Sequence, residues 1–92
     1  MTTLEMLSAH FGATPVIPLR AAAPFWGYEA DTLARKIDEG SIPIPYFRLD
    51  TSQKAERLVH IEDVAELIDA RRQAASAKMF DEQEDADQLG KG

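Results

Sequence analysis

Apolar positions recur at helical spacing in four stretches of this chain and alternate only in one short stretch between the third and the fourth. In "TTLEMLSAHFG", Leu4, Leu7, His10 and Phe11 share one helix face, with Thr2 or Thr3 as N-cap and Gly12 as C-cap. In "TPVIPL", Pro15 and Pro18 bracket Val16 and Ile17, which suits a very short edge strand and excludes a helix interior. In "PLRAAAPFWG", Leu19, Ala22, Ala23 and Trp26 return to helical spacing; Pro18 suits the first turn and Gly27 the stop. Pro24 removes a backbone donor, so this helix is expected to be shortened or bent. "YEADTLARKIDEG" predicts another helix, with Ala30, Leu33 and Ile37 inward and Gly40 as its cap. Two short helices joined by a tight turn with glycine form a helix-turn-helix pattern.

Beyond Gly40 the pattern changes. "YFRL" alternates and predicts a strand, "DTSQKAE" a polar loop, and "RLVHI" the return strand of a hairpin. "EDVAELIDARRQAASAKM" then predicts the strongest helix, with Ile61, Val64, Ala65, Leu67 and Ile68 as its buried stripe. Glu62 and Asp63 at its start and Arg71 and Arg72 further on complement the helix dipole. From about Ala74 the stripe fades into small residues. The expected fold is therefore mainly α with a small β-hairpin wing, a winged helix-turn-helix over residues 1–73. Its closing helix is expected to run to residue 78, followed by an acidic, disordered tail over 79–92.

Composition narrows the chemistry. A chain of 92 residues makes one domain. Without cysteine it has no disulfide, thiolate metal site or cysteine nucleophile. The N-terminal stretch has no basic cluster, so no signal peptide is expected, and no apolar run nears the roughly 20 residues of a membrane span. A cytoplasmic, nucleoid-associated protein is expected. The net charge is -6, but Asp81, Glu82, Glu84, Asp85 and Asp87 against Lys91 account for -4 of it, leaving -2 for residues 1–80. Local patches then decide what the folded part touches.

Two such patches stand out. With Leu33 and Ile37 inward, Asp31, Ala34, Arg35 and Asp38 fall on the opposite face of their helix, flanked by Thr32 and Lys36. A helix that reads the major groove needs small residues for close approach and long donors for base edges and phosphates. Asp31, Thr32, Ala34, Arg35 and Lys36 are the candidates; Asp31 would accept from a cytosine amino group or orient Arg35. The alternative is an ordinary solvated face of mixed charge. The second patch is the hairpin, where Arg48, Ser52, Gln53, Lys54 and Arg57 are types that contact phosphates, tempered by Asp50 and Glu56. The alternative there is a solvated surface loop. His10 and His60 lack metal-ligand spacing, and no nucleophile elbow, glycine-rich phosphate loop or paired-carboxylate signature occurs. No catalytic residue, metal or cofactor is expected, and an enzyme is not.

At "VIPL", "DEGSIPIPYFRL" and "SQKAERLVHIEDVAELIDARR" the chain resembles the pyocin activator protein (PrtN-like) family of prophage regulators, from Thr3 to Arg72. More distantly, the helix-Gly-x-Ile-Pro step and "VHIEDVAELI" are similar to the excisionase (recombination directionality factor) and MerR-type winged helix-turn-helix proteins. The resemblance implies a small double-stranded-DNA-binding protein of an integrated mobile element, a prophage or integrative element. It would activate transcription or assist an integrase in excision. It also implies that "DTLARK" enters the major groove and "TSQK" touches the backbone or minor groove.

One winged module buries only on the order of 600–1,000 Å² on DNA, so several copies are expected to act cooperatively as dimers or a head-to-tail array. Acidic "EDVAELID" and the tail, set against Arg71, Arg72 and the wing, suggest a contact between copies. Integrase and RNA polymerase are the candidate protein partners. No sensing domain and no polymerase-recruiting element is legible, which tilts the expectation toward excisionase-like architecture. From another class, the overall acidity fits a protein-binding adaptor that uses the winged fold without DNA.

Overall fold

The computed structural model describes the backbone of residues 1–91 and the side chains of residues 1–79. Four helices carry it: α1 (Thr3–Phe11), α2 (Leu19–Ala22), α3 (Ala30–Asp38) and α4 (Ile61–Lys91). Two three-residue strands complete it, β1 (Val16–Pro18) between α1 and α2 and β2 (Leu58–His60) directly before α4. The chain is mainly α-helical and winged-helix-like, as its hydrophobic pattern predicts.

The local signals explain each element. Thr2 caps α1 in a capping box: its hydroxyl accepts from the Glu5 N–H at 3.1 Å, and the Glu5 carboxylate accepts from the Thr2 N–H at 3.3 Å. Pro24 ends α2 early. The chain tightens into a 3₁₀ turn over Ala23–Trp26, and Gly27, left-handed at φ 77°, closes it by donating to the Ala23 and Pro24 carbonyls. Gly40 at φ 82° ends α3 in the same way and turns the chain into the wing.

The sheet differs from the expected hairpin. β2 pairs antiparallel with β1, in the register Val16 with His60, Ile17 with Val59 and Pro18 with Leu58. The wing's first strand contracts to one bridge, in which Phe47 and Leu58 exchange N–H···O bonds of 2.9 and 2.7 Å. Pro43 and Pro45 lack N–H donors, so the ladder cannot extend in that direction. The prolines around β1 do no such harm, because the flanking bonds run from Leu19 N–H to the Arg57 carbonyl and from Ile61 N–H to the Pro15 carbonyl, each 2.8 Å.

Ile17, Leu19, Leu33, Val59 and Val64 are the largest fully buried side chains of the core. α4 buries Ile61, Val64, Ala65 and Leu67, with Ile68 packed at the edge, which matches the predicted stripe. His60 caps it: its Nδ1 accepts from the Glu62 N–H at 3.1 Å. The helical backbone runs on to Lys91, past the expected end at residue 78. The side chains of the expected acidic tail lie, from residue 80 onward, outside the described residues.

Leu33 has no exposed surface, so Leu33→Ala should cost about 2–5 kcal/mol, read as a lower urea midpoint at unchanged slope. Arg72→Ala, on the exposed part of α4, should stay within about 0.5 kcal/mol of the parent.

Candidate nucleic-acid interface

α3 begins after Glu29 and presents two unlike sides. Ala30, Leu33, Ala34 and Ile37 turn toward the core, while Asp31, Arg35, Asp38 and Glu39 are exposed. Ala34 is thus a correction to the sequence reading. At 5% exposure it is a core residue rather than part of a reading face. The cause is angular: Ala34 lies 100° around from Leu33, with Ile37 between them, so a core wide enough to take all three includes it.

The remaining candidates are placed by polar contacts. Arg35 is 65% exposed and lies 3.8 Å from Glu39 one turn on. Lys36 is half-buried, its Nζ 5.8 Å from the centre of the Tyr28 ring, a cation–π placement on the flank of α3. Thr32 is also half-buried. In the wing, Arg48 donates from Nε to the Ala55 carbonyl at 3.1 Å, tying the two arms together below the tip. Ser52 organises that tip, accepting the Lys54 N–H at its hydroxyl and the Ala55 N–H at its carbonyl, each 3.1 Å. Ser52, Gln53 and Lys54 are exposed there.

Two contacts set the wing beside the outer face of α3. Arg57 Nη2 meets Asp31 Oδ1 at 2.8 Å, and the Tyr46 hydroxyl lies 3.0 and 3.1 Å from the two Asp38 carboxylate oxygens. Asp31 and Asp38 are seven residues apart, so these contacts are separated by about 10 Å along the helix. A third pair, Arg20 Nε to Glu56 Oε1 at 3.2 Å, ties the wing to α2. The structure therefore joins Asp31 to Arg57 rather than to Arg35. Arg20 and Tyr46 belong to the same surface and were missed from the sequence, as were the partners of Asp38 and Glu56. Arg20 and Glu56 are 36 residues apart, and no periodicity links them. Asp38 was legible only as one residue of the outer helix face.

Burial and the Asp38 carboxylate raise the Tyr46 pKa above its ordinary 10.0, with Arg48 and Arg57 opposing. The unfolded chain then loses this proton first. Tyr46 thus adds stability that is fully present below the unfolded pKa of about 10 and is lost as pH rises through the folded value. Tyr46→Phe should remove that part of the alkaline destabilisation, measured as melting temperature from pH 8 to 11.

Among the described residues no group of three His, Cys, Asp or Glu side chains is placed to hold a metal ion. No helix there is long and apolar enough to cross a membrane. No curated protein sequence and no solved structure matches the chain. A family model described as pyocin activator protein PrtN matches residues 3–75, which spans α1 through the packed half of α4. With that match over most of its length, the chain belongs to the pyocin activator protein PrtN family, a family of regulators.

Proposed function

We propose that this protein binds double-stranded DNA sequence-specifically and activates transcription of genes of an integrated mobile element. The observation that carries the reading is the seating of the wing along the outer face of α3 through Asp31 and Asp38. Arg35 lies between those contacts, and Arg48 and Lys54 stand on the adjoining wing. In this reading α3 enters the major groove, where Arg35 reaches base edges with Asp31, Thr32 and Lys36 beside it. The wing sets Arg48, Ser52, Gln53, Lys54 and Arg57 against the backbone.

Such a surface holds few cations for its carboxylates, so one copy binds weakly and several act together on adjacent sites. RNA polymerase is the proposed partner. The family match favours activation over excisionase-like bending beside an integrase, for which the same surface would serve.

Band shifts on DNA upstream of neighbouring phage-type genes, and on attachment-site DNA, test this reading across salt concentrations. Arg35→Ala should cost about 1–3 kcal/mol on the preferred site and relax base choice there. Lys54→Ala should weaken all sequences alike and reduce the salt slope by about one. If folded protein shifts no duplex even at about 50 mM salt, the DNA reading fails and the protein-binding adaptor takes its place.

A further inference from the structure

The Asp31–Arg57 pair is unequal. Arg57 is 26% exposed and held at the base of the wing, whereas Asp31 is 93% exposed, the second residue of α3 on its outer face. A carboxylate this open keeps its hydration and contributes little to stability through a surface pair. On a surface meant for DNA it is also a repulsive charge. Its position gives it another use. It meets the Arg57 guanidinium at 2.8 Å, and it offers the same kind of oxygen acceptor that a phosphate offers. Arg20 and Glu56 form a second ion pair at the α2 side of the wing, at 3.2 Å, but there both groups are exposed.

We propose that Asp31 is a specificity-determining residue: it occupies Arg57 as a phosphate would, and releases it only when α3 and the wing seat together. This rests on the DNA-binding reading. On arbitrary DNA the pair stays closed, so Arg57 adds nothing to counterion release and Asp31 repels the backbone. On a fitting site a phosphate replaces the carboxylate at Arg57. Asp31 then faces base edges, where a cytosine amino group is the donor that suits it. Non-specific affinity is thereby held down while the specific complex keeps both groups satisfied.

The test uses the full chain with Asp31→Asn, Arg57→Gln and the double variant, each checked for helix content by circular dichroism. Binding is measured on a random-sequence duplex pool and on duplexes that the parent protein enriches from that pool. Asp31→Asn should bind the random pool about tenfold tighter at about 50 mM salt, with a slope steeper by about one, and its preference for enriched duplexes should fall. In the Arg57→Gln background the gain on the random pool should shrink to about twofold, the effect of one repulsive charge. An equal gain with and without Arg57 would make Asp31 a plain repulsive charge and overturn the proposal. So would an Asp31→Asn variant that binds both DNAs like the parent. Those outcomes leave the DNA reading intact, whereas a parent protein that binds neither DNA removes both.

Discussion

The three residues of β2 are the joint on which the structure turns. Leu58 faces β1 through Pro18 on one side and Phe47 of the wing on the other, and Val59 beside it has no exposed surface. His60 ends the strand and caps α4 directly, with no loop between. The N-terminal segment, the wing and the last helix are therefore fixed to one short strand. A ladder this brief contributes few hydrogen bonds. Its strength comes from the apolar side chains around it, because Val59 lies in one core with Ile17, Leu19, Leu33 and Val64.

That joint explains how an acidic chain holds a definite wing. A two-stranded hairpin alone is marginal in water, and this wing keeps only one bridge of its own. Polar contacts complete its placement: Arg57 to Asp31, Tyr46 to Asp38, Arg20 to Glu56, and Arg48 to the Ala55 carbonyl. Each surface pair contributes little by itself, but the first two lay the wing along α3, the third ties it to α2 and the last joins its own two arms. Asp31 and Asp38, the carboxylates on the outer face of α3, are among the groups that set this geometry.

The helices were legible in the residues because their signals are local. The Thr2 capping box, the break at Pro24, the left-handed Gly27 and Gly40, and the α4 stripe all lie within a turn or two of what they control. The family resemblance over "SQKAERLVHIEDVAELIDARR" rested on the same continuous stretch. Ala34 is the exception. Helical periodicity gives an angle around an axis, but the width of the buried arc depends on what packs against it, and here the arc takes in Ala34.

The sequence by itself determined the four helices, the turn chemistry and the mainly helical winged class, since each follows from the spacing of neighbouring residues. Only the tertiary structure decided that β2 pairs chiefly with β1 and that Asp31 belongs to Arg57. The partners in those contacts are separated by more than 25 residues. At that distance the pairing is chosen by the shared core and the path of the chain around it, and residue type alone leaves several partners equal.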